Sequence, residues 1–174
     1  MTKKIVLGGG CFWCIEAIFQ QIKGVTHVVS GYAGAQGAVP SYEEVCTGKT
    51  GYAEVVEVSF NSAEISLTEI LDIFFHLHNP TTPNQQGADC GTQYRSVVYY
   101  NTEDEKEIIH KAAAAAQPDW QNPIVTEIAA NQIFYSAEQY HQNYFNNNSQ
   151  QGYCQLVISP KLSKLKERYF EKTI

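Results

Sequence analysis

The sequence predicts an α+β fold, specifically a ferredoxin-like split β-α-β two-layer sandwich with a C-terminal extension. Two observations carry that expectation. The first hundred residues read as strand, helix, strand, strand, helix, strand, which is the order of a split β-α-β unit. The 174 residues, 44% of them hydrophobic, suffice for one domain with a real core and are too few for two of ordinary size.

The chain opens with the apolar run Ile5-Val6-Leu7, then Gly8, Gly9 and Gly10, after which Phe12, Ile15, Ile18, Phe19 and Ile22 recur at helical spacing. That reads as strand, tight turn and amphipathic helix, with Cys11 in the first helical turn. Gly24 supplies a helix stop, and residues 25–34 read as a strand running into a glycine-rich turn. Residues 34–51 are loop-like, with Ser41 to Val45 a single helical turn. From Ala53 to Phe60 the chain alternates as a strand with Val56, Val58 and Phe60 on one face, and period two sets Glu54 on that same face. Ser66-Leu67-Thr68-Glu69 is a capping box for a helix that buries Leu67, Ile70, Leu71, Phe74 and Leu77 and ends before Pro80.

Residues 79–94 hold two prolines and two glycines, so a long ordered loop is expected there, and loops of that length are usually functional. Arg95 to Tyr100 is the next strand. Thr102 caps a helix through the alanine run to Gln117, where Pro118 stops it, and Ile124 to Ala129 is a further strand. Ser136 opens a shorter helix containing Tyr140, His141, Tyr144 and Phe145. The polar run 146–152 breaks it, and Cys154 falls in a segment, residues 146–160, expected to be a mobile tail. A last helix, residues 161–172, closes a chain read as a single catalytic domain, 1–174.

Composition excludes several functions. A net charge of −6 argues against nucleic acid or an acidic membrane surface as partner, because both need a basic face. No apolar run approaches the ~20 residues of a membrane span, and residues 1–4 lead straight into a strand rather than a secretory leader. The odd set of five cysteines fits a reducing compartment, so a cytoplasmic monomer is expected. Metal is not expected. Only one C-x-x-C pair occurs, no second pair or H-x₃₋₅-H follows it, and His76 and His78 lie on different helix faces. The single methionine, Met1, gives no structural clue.

Among residues that can carry chemistry, Cys11 comes first. Glycines let the backbone approach a ligand closely, and the unpaired N–H groups of a helix start favour a thiolate. That effect is worth about 0.3–1 kcal/mol, or about 2 when partly buried. It moves a cysteine by roughly one pKa unit at most, so the thiol stays largely protonated and the substrate must be activated by an acid. Cys14 completes a C-x-x-C, which admits a thioredoxin-like dithiol reading against that of a small buried hydrophobe. Cys46 and Cys90 read as inert. Glu54 is a carboxylate on an apolar strand face, where desolvation raises its pKa and makes it a general acid unless it turns to solvent or pairs. Asp89 and Tyr94 in the long loop, with Tyr42 in the earlier one, are a carboxylate and two phenol donors. Taken alone they also fit turn capping and packing.

Gly-Cys-Phe-Trp at 10–13, Gly-Tyr-Ala-Gly at 31–34, Tyr-x-Glu-Val-Cys-x-Gly at 42–48, Gly-x-Ala-Glu at 51–54, Asp-x-Gly-Thr-Gln-Tyr-Arg-Ser at 89–96 and Tyr-His-Gln at 140–142 together resemble the type A peptide methionine sulfoxide reductases. The match runs in order from Gly8 to Cys154. The resemblance implies that Cys11 attacks the sulfoxide sulfur while Phe12 and Trp13 line an apolar pocket for the substrate methyl group. It assigns Glu54 as the acid that protonates the oxygen, Tyr42 and Tyr94 as donors to it, and Asp89 as an organiser of the site. Cys11 would be left as a sulfenic acid, which Cys154 converts to a disulfide for thioredoxin to reduce. The implied substrates are free methionine S-sulfoxide and oxidised proteins, and no cofactor is implied. His141 resembles a family position and is assigned a structural hydrogen-bonding role. The chain departs from the family in lacking a second tail cysteine after Cys154, and in Cys14, Ala35 and Cys90. Two other functions remain open at this level: a dithiol oxidoreductase using Cys11 and Cys14, and a noncatalytic module that binds oxidised methionine peptides.

Overall fold

The computed structural model describes residues 1–174 and runs β1 (Thr2–Gly8), α1 (Phe12–Phe19), β2 (Val25–Ala33), α2 (Tyr42–Cys46), β3 (Ala53–Asn61), α3 (Leu67–Leu77), β4 (Gln85–Gln86), β5 (Asp89–Cys90), β6 (Val97–Tyr100), α4 (Glu103–Ala116), β7 (Glu127–Ala130), β8 (Tyr135–Ser136), α5 (Tyr144–Asn147) and α6 (Ser159–Arg168). The architecture is α+β. Its main sheet has the order β7-β6-β1-β3-β2-β8, antiparallel throughout except where β7 pairs parallel with β6.

β3 lies inside this sheet, between β1 and β2, and is apolar on both faces. One face sends Val56, Val58 and Phe60 into the large core shared with α1, α3, α4 and α6, while Ala53 and Val55 pack on the opposite face with Val6, Val97 and Tyr99. Glu54 stands level with Tyr32 of β2, two residues from Val56, which sets it on the helix-covered face. The sequence's alternation therefore placed this carboxylate in the layer between sheet and helices.

The long loop after α3 is more structured than expected. Within it β4 and β5 pair as a miniature hairpin, and residues 92–94 form a 3-10 turn that leads into β6. The expected strand at 124–129 pairs only over β7, which begins three residues beyond its anticipated start.

Two expectations near the C-terminus need correction. The helix expected from Ser136 is broken up: residues 135–136 pair with β2, residues 139–141 make one 3-10 turn, and Asn143 adopts a left-handed φ of 56° before α5. Hydrogen bonds between this segment and α1 and β2 take the place of helical ones. Glu16 accepts from the Asn143 and Tyr144 N–H groups at 2.9 and 3.1 Å, and Gln142 bonds both the N–H and the carbonyl of Ser30. The second half of the segment expected as a mobile tail, residues 146–160, is helical from Cys154 on. Residues 154–158 form a π-type turn that continues directly into α6, and Cys154, Ile158 and Leu165 are buried on one side of it. Apolar residues at helical spacing gave this segment a core to join.

Ser66 and Glu69 form the capping box read from the sequence, Ser66 Oγ accepting the Glu69 N–H at 3.1 Å and Glu69 Oε1 accepting the Ser66 N–H at 3.2 Å. Substituting Ser66→Ala should lower unfolding stability by about 1 kcal/mol, read as a reduced urea midpoint at unchanged slope.

Candidate active site

Three glycines bring the end of β1 closer to its surroundings than any side chain would permit. A Cβ on Gly8 would sit 2.9 Å from the Glu54 carbonyl oxygen, and one on Gly9 would sit 2.7 Å from the His78 ring. Gly10 has a φ of +88°, which an L side chain rarely adopts. Cys11 then takes the N-cap position of α1 in an extended conformation and is only 6% exposed.

An N-cap cysteine offers no good side-chain acceptor to its helix. The acceptor comes from the sheet, where Glu54 Oε1 takes the Phe12 N–H at 3.1 Å. Glu54 is 1% exposed, and its second oxygen, Oε2, has no partner. Burial, reinforced by the negative charge of Asp89, pushes the Glu54 carboxyl up to about 8, against the pull of the Phe12 N–H and the Cys11 thiol. Its neutral form holds at neutral pH. Burial likewise pushes the Cys11 thiol up, with Glu54 and Cys14 adding to the shift and the Trp13 N–H and Tyr153 hydroxyl opposing it. The lowering expected from the helix start is therefore outweighed by desolvation. At rest the site holds two protons, one on sulfur and one on carboxyl.

Phe12 and Trp13 form an aromatic wall with Tyr42, His141 and Tyr144. The Trp13 ring lies 3.7 Å from that of Tyr144 at 7° between planes, and Tyr42 stacks at 6.2 Å on each of Phe12 and Trp13. Trp13 Nε1 donates to His141 Nδ1 at 3.0 Å. This fixes the proton of the neutral imidazole on Nε2, and burial lowers the ring's pKa to keep it neutral. Glu138 orients the wall from outside, accepting the Tyr32 hydroxyl and the Tyr42 N–H, each at 2.9 Å.

Tyr94 and Asp89 arrive from the loop after α3. The Tyr94 carbonyl accepts the Gly10 N–H at 3.1 Å, anchoring the glycine turn to this loop. Burial raises the hydroxyl pKa of both Tyr94 and Tyr42, and the charges of Glu54 and Cys11 add to each shift, so both phenols stay protonated as donors. Asp89 Oδ2 accepts the Tyr153 hydroxyl at 2.8 Å, which leaves the Tyr153 oxygen free to accept the Cys14 thiol at 3.6 Å.

The sequence-predicted residues thus converge, with one exception. Cys11, Phe12, Trp13, Tyr42, Glu54, Asp89 and Tyr94 share the site. Cys154 is fully buried, and all five cysteines are free thiols. No group of three or more His, Cys, Asp or Glu side chains is arranged to hold a metal, and no helix is long and apolar enough to cross a membrane. Sequence reasoning missed Tyr153, Tyr144, Glu16, Glu138 and Gln142. Two of them carried a signal: Glu16, as a carboxylate among Ile15, Ala17, Ile18 and Phe19, and Gln142, in the Tyr-His-Gln motif at 140–142.

Comparison with known proteins extends this geometry. The model of the family described as peptide methionine sulfoxide reductase matches residues 3–174. The chain is similar to the peptide methionine sulfoxide reductase MsrA of Trichodesmium erythraeum, 53% identical over 98% of this chain and 97% of that protein. Among solved structures it is similar to reduced Mxr1 from Saccharomyces cerevisiae, with a TM-score of 0.80, 38% identity and coverage of 88% and 89% of the two chains. It is also similar to Mxr1 in complex with Trx2, with a TM-score of 0.57, 29% identity and coverage of 82% and 84%.

The raised Glu54 pKa makes stability depend on pH. The folded state keeps a proton, with a pKa of about 8, that the unfolded chain releases near the ordinary value of 4.5. That contribution is fully present below about pH 4.5 and is lost as pH rises towards 8. Glu54→Gln removes it, so the variant should gain stability relative to the native chain between pH 5 and pH 8. Urea unfolding at both values reads this out, and parallel pH profiles would refute it.

Proposed function

This chain belongs to the peptide methionine sulfoxide reductase family, and from that premise we propose how its residues divide the reaction. It reduces methionine sulfoxide to methionine. The Cys11 sulfur attacks the sulfoxide sulfur as its thiol proton is lost, and the Glu54 carboxyl donates a proton to the sulfoxide oxygen. Tyr42 and Tyr94 hold that oxygen by hydrogen bonds, most strongly as negative charge builds on it. The oxygen then passes from the substrate sulfur to the Cys11 sulfur: the substrate sulfur–oxygen bond and the transient sulfur–sulfur bond break, a sulfur–oxygen bond forms on Cys11, the thioether departs as methionine, and Cys11 is left as a sulfenic acid. Phe12 and Trp13 receive the substrate methyl group, whose placement selects the S epimer.

The observation that carries this reading is Glu54. A buried carboxyl, neutral at pH 7, keeps one oxygen uncommitted beside a cysteine at a helix start. A simple dithiol exchange would leave that acid without a task.

The Cys154 thiol then attacks the Cys11 sulfenic sulfur, releasing water and forming a Cys11–Cys154 disulfide, which a thioredoxin dithiol reduces while becoming a disulfide itself. The complex of the similar protein Mxr1 with Trx2 supports this last step. Cys154 is buried at the π-type turn 154–158, in the same core as Cys11. π-type turns are frequent at functional sites. We also read β6-β1-β3-β2, with α1 and α3 covering one face, as the ferredoxin-like split β-α-β unit, and residues 1–174 as one catalytic domain. Five free thiols suit the reducing conditions of the cytoplasm.

With dithiothreitol as reductant, Cys11→Ser should abolish methionine sulfoxide reduction, and Glu54→Gln should slow it by about 10²–10⁴-fold. Retention of native rates by either variant would remove that residue from the mechanism. Cys154→Ser should still release one equivalent of methionine in a single-turnover experiment without reductant, yet fail to cycle with thioredoxin. Undiminished cycling would transfer the second thiol's role elsewhere.

A further inference from the structure

We propose that Lys161 turns the cleft beside Cys11 into a carboxylate-binding subsite, so that the enzyme favours methionine sulfoxides bearing a carboxylate close to the sulfoxide group. The proposal deepens the reductase reading above and rests on it.

The cleft has a volume of about 300 Å³, and its lining includes Cys11, Cys14, Asp89, Tyr153, Val157 and Lys161. That volume is at the lower end for small-molecule sites, the size of one amino-acid residue rather than a long peptide. Asp89 and Lys161 are its only charged groups, and they are in different situations. Asp89 accepts the Tyr153 hydroxyl at 2.8 Å. Lys161 is half-buried and has no carboxylate within 4 Å, whereas Lys4, Arg95, Arg168 and Lys172 each pair with one.

Eight of the twelve Lys and Arg side chains have no carboxylate within 4 Å, and of these Lys161 is the one that borders the nucleophile's own cleft. Its field also points inward, since it lowers the pKa of the buried Cys14 thiol and of the buried His78 ring. A substrate that brings its sulfoxide to Cys11 brings the groups next to that side chain towards Lys161. A carboxylate there gains an opposite charge in a partly desolvated setting, where an ion pair is screened less than on an open surface. Two sources present such a carboxylate: the α-carboxylate of free or C-terminal methionine sulfoxide, and an acidic side chain following the sulfoxide in a protein.

Steady-state kinetics with dithiothreitol on the full chain separates these sources. The probes are N-acetyl-methionine sulfoxide and its methylamide, and two blocked peptides in which Glu or Gln follows the sulfoxide. The native enzyme should favour the carboxylate-bearing member of at least one pair by about threefold to tenfold in kcat/KM, through KM, with the preference shrinking as salt is added. Lys161→Gln should bring that ratio to about one, and Lys161→Arg should restore it. Selectivity for the acid over the methylamide assigns the α-carboxylate, and selectivity for Glu over Gln assigns the side chain. Equal kcat/KM within both pairs, or a preference that survives Lys161→Gln, overturns the proposal. Absence of turnover on all four probes would instead overturn the reductase reading beneath it.

Discussion

The hydrogen bond from the Phe12 N–H to Glu54 Oε1 joins the start of α1 to the interior of the sheet, and the site's chemistry follows from it. A helix N-terminus has N–H groups with no partner in the helix. Cys11, at the N-cap, supplies none, so the helix takes its acceptor from β3. The three glycines allow that approach, because a side chain on Gly8 would collide with the Glu54 carbonyl itself. Leaving a bare carboxylate in this layer would be costly, and protonation avoids the cost. The same burial that satisfies the helix end therefore produces the acid. One oxygen serves the fold, and the other remains for the reaction.

A second set of contacts keeps the aromatic wall in place without touching the reacting atoms. Glu16, Glu138 and Gln142 each bond main-chain groups, so residues 137–144 follow a path fixed by three side chains rather than by their own helix. That path delivers Tyr144 to one face of Trp13 and His141 to its indole N–H. The wall's rigidity is thus paid for in polar contacts spread over α1, β2 and the segment itself. Glu16 shows the cost of such placement: burial raises its carboxyl pKa, and the two N–H groups it accepts counter that shift.

Much of this was legible in the residues. The apolar alternation of β3 puts Glu54 on the buried face, and the capping box at Ser66 marks where α3 begins, because each is a local pattern with a local cause. The reactive cysteine was legible from the glycines before it, although its electrostatics were not. Periodicity shows that a helix begins at Cys11 but not how deeply that helix end is buried, and depth decided the direction of the thiol's shift. The segment from Ser136 carries helical signals that distant acceptors override. Conversely, the polar run before Cys154 suggested a loose tail, while Ile158 and Leu165 found the core and carried Cys154 into a helix. Tyr153 reaches Asp89 from 64 positions away, a pairing that no local pattern announces.

The core is built from Ile, Val, Leu, Phe, Tyr, Ala and three cysteines, and the one methionine of the chain is Met1, exposed at the N-terminus. Methionine is an adaptable filler of irregular gaps, and its oxidation inserts a polar oxygen into whatever it packs against. A protein whose substrate is that very lesion has none of it in its own interior. Methionine oxidation therefore leaves its packing untouched, and the catalyst does not share the lesion it corrects.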